Sequence, residues 1–349
     1  MTASAPASAP AASLTFRDRG PVSGAVIAHL TGDDGAADHT TLATAAVAAS
    51  HDIVRDDDLQ LALFVLYASA YGSLPQLDPD REWDPALLAT RRVIETAFES
   101  ALRAAVPMPD LPEPRVDAVG RALFALAAGD TGPSLSRFVA RKATREQMTE
   151  TLIQRSVYTL READPHSWAI PRLEGRAKAA LVEIQSDEYG GGRPDRVHAV
   201  LFARAMQAAG LDDTYGAYVD AVPAVTLASL NMMSMFGLNR RLVGAIVGHL
   251  AAYEMTSSIP CRLYADGLHR LGFAPDVAAY FEEHVEADAV HEQIAARDLA
   301  GSLAEDHPEL LPDILFGAAA CLTVDGWGGK HILDAWAAGD SSLRTGAAS

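Results

Sequence analysis

The stretch 281-FEEHVEADAVH-291 settles the reading of this chain. As an α-helix it stacks His284, Asp288 and His291, at i, i+4 and i+7, on a single face. Val277 and Phe281 extend that face on one side and Ala295 on the other, while Glu282, Glu283 and Glu286 fall elsewhere and meet water. A carboxylate and two imidazoles on an apolar face need a partner, because an unpaired buried carboxylate is costly. Two readings remain open from the residues themselves. The first is a metal site; the second is a pair of core histidines hydrogen-bonded to a neighbouring Asp.

Outward from that stretch the signals are helical. Asp58–Tyr71 opens on acidic residues and closes before Gly72, and Pro85–Ala105 follows a Trp-Asp-Pro entry. Helices are expected over Val116–Ala128, Arg145–Glu162, Gly175–Tyr189, Pro194–Ala209, Thr214–Tyr218, Pro223–Phe236, Arg240–Thr256, Cys261–Gly272, Pro275–Ala300, Glu309–Leu322 and Gly329–Ala337. No run alternates with period two between hairpin turns. The class is all-α, without a solenoid repeat. Breaks at Val106–Pro114 and Gly129–Pro133 divide an N-terminal helical region, 40–130, from a helical domain over 140–340.

The 349 residues are 49% apolar, enough for a sizeable core, and carry a net charge of −18. That charge argues against nucleic acid and anionic membranes as partners. Residues 1–14 are rich in Ala, Ser and Pro, with neither a basic nor an apolar signal region, and read as a disordered tail. Apolar stretches such as Leu61–Ala70 fall short of a membrane span. Two cysteines make no disulfide framework, so a reduced cytoplasmic setting is expected.

Two further groups carry chemistry. In 183-EIQSDEYGGGRPDRVH-198, carboxylates end one helix and His198 lies one turn into the next, with three glycines between. The glycines meet neither the dinucleotide nor the Walker spacing, so a plain helix break competes with any cradle role. Ten residues of straight helix would leave Glu188 and His198 about 80° apart. In 244-GAIVGHLAAYEMT-256 a lone Glu254 interrupts a nearly uncharged helix, either toward solvent or toward a site. His249 does not share its face and reads as structural. Glu162 looks like an ordinary charged helix end.

Taken together, READPHSW, EIQSDEYGGGR…H, GHLAAYEMTSS and EHVEADAVHEQ, over residues 160–300, resemble the heme-oxygenase-like di-iron oxidases and oxygenases, the "iron-containing redox enzyme" family. The resemblance implies a heme-oxygenase-like helical bundle with an additional N-terminal helical region. It implies metal ligands at Glu162, Glu188, His198, Glu254, His284, Asp288 and His291, with Glu254 the carboxylate that shifts to open or close a coordination position. Two Fe²⁺ per chain are implied, with O₂ as co-substrate, and the four carboxylates would balance their charge. The absence of thiolates disfavours structural zinc, and the pattern differs from the ferritin-like set. Expected partners are a small amino-acid- or amine-type substrate, oxidised at nitrogen or C–H in secondary metabolism, and an electron donor. A homodimer is a further expectation. Alternatives are an oxidase of fatty-acid-type substrates and a non-catalytic metal-binding scaffold; a heme-handling enzyme needs one axial histidine and no carboxylate cluster, which this sequence contradicts. Tyr189, Ser257 and Arg193 adjoin ligands in sequence and are open between supporting and purely structural roles.

Overall fold

Strong local stop and start signals cut this chain into helices. The computed structural model describes residues 14–33, 37–129 and 134–344, and of 286–290 the backbone alone. The expected tail, apart from Leu14, and most of the second break lie outside the described residues. Among the described residues there is no strand.

The first helices are α1 (Pro21–Leu30), α2 (His39–Ala49), α3 (Asp57–Tyr71), α4 (Pro85–Ala105) and α5 (Val116–Ala128). Asp56 caps α3 by accepting from Leu59 N, and Gly72 closes it in the left-handed region at φ 61°. Both ends therefore satisfy backbone groups that the helix leaves open. Asp84 caps α4 in the same way, with Pro85 at its first position. After α6 (Leu135–Arg141) comes α7 (Arg145–Thr159), opened by a capping box in which Thr144 and Gln147 serve each other's backbone. The short α8 (Asp164–Ser167) leads to α9 (Gly175–Glu188) and α10 (His198–Ala208).

The middle of the fold is α11 (Ala224–Leu238) and α12 (Val243–Met255), apolar on nearly every side and buried accordingly. They are followed by α13 (Ser258–Arg270), α14 (Pro275–Gln293), α15 (Ser302–Asp306) and α16 (Leu311–Ala338). From α14 the chain runs on as an eight-residue π-helix, Ile294–Gly301, against which α5 and α9 pack. Extended π-helix is rare and tends to accompany functional sites. The first four helices join the core through α3, which lies on α11, and share its apolar cluster: Phe64 and Tyr67 stand with Met233 and Phe236.

Glycine sets the crossing of α12 with α16. A Cβ on Gly248 would stand 1.7 Å from the Ile314 carbonyl oxygen, and one on Gly317 1.9 Å from that of Ala245. Only bare backbone permits this approach. It locks the helix that bears Glu254.

Several boundaries depart from the sequence expectation. The Glu309–Leu322 and Gly329–Ala337 segments are one helix, because packing on α12 carries the backbone through Asp325–Gly329. The resulting run Pro308–Ala338 is long and apolar enough to cross a membrane, but 56% of its apolar window is buried within the protein, as in a core helix. Thr214–Tyr218 is a turn; the Asp212 side chain accepts from Thr214 N, and Gly216 sits at φ 90°. Residues 160–162, expected to extend α7, leave it in a turn ending at Ala163 in the left-handed region. Helices α1, α2 and α6 were not anticipated, since short apolar or mixed segments lack a clear period.

Candidate metal centre

The helix ends place the site. Glu162 follows the last turn of α7, beside Ala163 at φ 73°. A non-glycine residue there costs on the order of 1 kcal/mol and is held by its surroundings; Gln185 Nε2 donates to its carbonyl at 2.9 Å. Glu188 is the last residue of α9 and His198 the first of α10. Between them Gly190–Gly192 all take positive φ, and a Cβ on Gly190 would fall 2.7 Å from Arg196 C and Val197 N. This turn folds the chain back, so that the 80° of a straight helix no longer separates the two side chains. His198 Nδ1 lies 3.0 Å from Glu188 Oε2.

Glu254 comes from the last turn of α12, and His284 and His291 from two levels of α14. Six of the seven expected ligands are thus brought together, each between 2% and 7% exposed. Asp288 belongs to 286–290, whose side chains lie outside the described residues. Glu162, Glu188, His198 and His284 offer ligand atoms that all lie within 4.8 Å of one another, and so do Glu188, Glu254 and His291. Donors on opposite sides of an ion at about 2.2 Å stand roughly 4.4 Å apart, so each group has the span of one ion. Glu188 is common to both.

The unused ring nitrogens support the same reading. His284 Nδ1 is 2.8 Å from the Tyr280 carbonyl, while its Nε2 is buried without a hydrogen-bond partner, 3.7 Å from Glu162 Oε1. His291 Nε2 is 2.9 Å from Asp187 Oδ2, while its Nδ1 is buried without a hydrogen bond, 3.5 Å from Glu254 Oε2. An imidazole tied at one nitrogen, with the other aimed into a nest of carboxylates, is the arrangement of a metal-bound histidine. The mixed imidazole and carboxylate set suits iron or manganese.

Burial and mutual charge set the protonation of these groups against one another. Burial, then the charge of Glu188, raises the Glu162 carboxyl to about 8. Burial raises Glu254 as well. Glu188 is also pushed up by burial, but the His198 hydrogen bond and the surrounding imidazoles outweigh this and hold it below the usual range. His284 is driven down to about 4 by burial and by His198. For His291, burial acts downward, yet the neighbouring Glu254 and Asp187 carboxylates prevail and raise it to about 9. Three buried carboxylates in one cluster are the environment a multivalent cation relieves.

Two contributors were not foreseen. Asp187 precedes a ligand in sequence, but adjacent helical residues diverge by about 100°, so nothing in the spacing singles it out. The Tyr280 hydroxyl donates to both Glu162 oxygens, at 2.8 and 2.7 Å; it stands at i−4 from His284, among residues that otherwise read as core. Of the open assignments, Tyr189 binds Asp164 and Ser167, and Arg193 is exposed beside Asp195. Ser257 donates to the Tyr253 carbonyl. His249 pairs with His166, their ring nitrogens 3.2 Å apart.

A cavity of about 660 Å³ opens onto Glu162, Glu188, Glu254 and His284. It falls in the size range of small-molecule sites.

Residues 149–326 match the family described as iron-containing redox enzyme. Over 194 residues the chain is 29% identical to the nitrosourea synthase of Streptomyces achromogenes subsp. streptozoticus, a match spanning 55% of this chain and 41% of that protein. Two crystal structures of a CADD-like protein of unknown function from Nostoc punctiforme are similar in part. One has a TM-score of 0.47 at 19% identity, covering 60% of this chain and 94% of that one. The other has a TM-score of 0.48 at 16% identity, covering 64% and 96%.

Proposed function

We propose that this chain, which belongs to the iron-containing redox enzyme family, is an O₂-activating oxygenase with a two-iron centre. The observation that carries the reading is the pair of buried ligand groups joined at Glu188. Glu162, Glu188, His198 and His284 would hold one ion; Glu188, Glu254 and His291 would hold the other, with Asp288 assigned to the set by its sequence position. Bound ferrous iron supplies the electrons for reducing O₂, chemistry that no side chain here performs.

The chain's own residues do the rest. The Tyr280 carbonyl and Asp187 fix His284 and His291 so that one lone pair of each faces the centre. The Tyr280 hydroxyl orients Glu162. Glu254 sits in the last turn of α12 with Oε2 3.5 Å from His291 Nδ1, and its carboxylate would shift to open a position. Burial of all six side chains limits the contact of bulk water with the centre.

The substrate we favour is a small amino-acid- or amine-type molecule oxidised at nitrogen or C–H. A relative whose name specifies a nitrosourea, an N–N=O compound, supports nitrogen chemistry in secondary metabolism. A small reductant or reductase and a homodimeric state complete the proposal.

Anaerobic loading with Fe²⁺ followed by rapid mixing with O₂ tests it. About two irons per chain and a transient optical band on mixing support the reading. Trace metal and a featureless trace refute it.

A further inference from the structure

Arg155 stands on α7 and lines the same cavity as the carboxylates of the centre. Its guanidinium lies over the Tyr264 ring at 5.4 Å and the Phe281 ring at 5.6 Å. Among the described residues no carboxylate comes within ion-pair distance of it, and its Nε is buried without a hydrogen-bond partner. Its charge acts on the Tyr280, Tyr253 and Tyr264 hydroxyls and, from further off, on the Asp325 and Glu162 carboxylates of the same cavity. Other arginines find partners within the fold: Arg19 holds Asp57, while Arg172 donates to the Gly237 and Leu238 carbonyls and Arg270 to those of Val139, Ala140 and Ala143. Arginine keeps its proton under all ordinary conditions, so a half-buried guanidinium that lines the cavity with no carboxylate at ion-pair distance is suited to take an anion there. Glu162 follows seven residues later, just past the end of α7, and lines the same cavity.

We propose that Arg155 is the anchor for the carboxylate of the substrate, held bidentately by the guanidinium fork and thereby positioned with its far end toward the centre. This rests on the redox reading of the adjoining cluster. An amino acid and a fatty acid share the carboxylate, and the cavity favours the first. Asp325, which accepts from Ser229 at 3.0 Å, lines the same space and supplies an anion for a cationic nitrogen. A hydrocarbon chain has no use for it.

The test is calorimetric titration of the anaerobic, iron-loaded chain with L-arginine, L-lysine and L-tyrosine, and with agmatine, cadaverine and tyramine, the same molecules without the carboxylate. At least one acid is expected to bind roughly 30-fold more tightly than its amine, the scale of a buried charge-assisted pair. Arg155→Gln should shrink that ratio to about threefold or less and Arg155→Lys should restore part of it, with iron content unchanged in both. If no pair is separated in the wild type, or if Arg155→Gln keeps the ratio, the anchor is wrong. Binding of decanoate with the same Arg155 dependence, where no amino acid discriminates, supports the anchor and overturns the amino-acid source. If the chain takes up no iron, the two-iron reading fails, and the same ligand pairs titrated into the metal-free chain still decide the anchor.

Discussion

Replacing Gly248 by Ala puts a methyl group where α12 and α16 have no room for one. The added carbon would sit 1.7 Å from the Ile314 carbonyl oxygen and 2.6 Å from its carbon, whereas side-chain carbons essentially never come under 3.0 Å. Relief requires the helices to part by about 1.3 Å (3.0 less 1.7). Both atoms are backbone, and neither can rotate away as a side-chain tip would. Overpacking of a well-filled core costs about 1–3 kcal/mol, and backbone on backbone belongs at the upper end. A chain of this size loses about 0.7 kcal/mol of stability per degree at its midpoint, so 3 kcal/mol is a fall of roughly 4 °C in Tm. The control is Gly326→Ala in the same helix α16, where a Cβ meets nothing within 4 Å. That change should be neutral or stabilise by up to about 1 kcal/mol through helix propensity. Thermal unfolding of the two variants side by side is the assay. Equal midpoints would refute the close crossing, and with it the account of how Glu254 is held. Iron uptake should also weaken in Gly248→Ala, since separation of the helices carries Glu254 away from His291.

Asp187→Asn should weaken iron binding about 10- to 100-fold, as loss of a carboxylate behind a ligating histidine generally does, with little change in Tm; competition with a chelator measures it. Glu150 accepts from Trp336 Nε1, Ser341 Oγ, and Ser342 N and Oγ, and these bonds, set against its partial burial, hold its carboxyl below the usual value of 4.5. A depressed folded value gives stability that is full above about pH 4.5 and fades as pH falls through that lowered value. Glu150→Gln should therefore be about 1 kcal/mol less stable than the parent at pH 7, and the gap should narrow as pH is taken below 4.5 in urea titrations. Ala163→Gly should raise stability by about 1 kcal/mol by releasing the left-handed strain beside Glu162; an unchanged or lower Tm would count against strain there.

The parts of this fold that were legible in the sequence are those where a local rule and a tertiary need coincide. Pro85 behind Asp84 and Gly72 behind Tyr71 mark their helix ends because capping is local chemistry. His284 and His291 announce themselves by spacing on an apolar stripe. Glu162 is different. Nothing within Leu160–Pro165 distinguishes it from a solvated helix end, and only the resemblance to a family selected it. The glycine run at 326–329 misled because a bare sequence weighs propensity alone, while α12 stabilises the helix through it. Arg155 and Asp187 were invisible for a related reason. An arginine in a helix is ordinary until its partners are known, and a carboxylate behind a histidine is defined by contact across 104 residues.

The account's central claim is that Glu188 is shared by two metal positions. Crystals grown anaerobically with Fe²⁺ and measured at the iron absorption edge test it directly. The account predicts two anomalous peaks, each at about 2.0–2.3 Å from a Glu188 carboxylate oxygen, one among Glu162, His198 and His284 and the other between Glu254 and His291. A single peak, or iron bound away from Glu188, would contradict it.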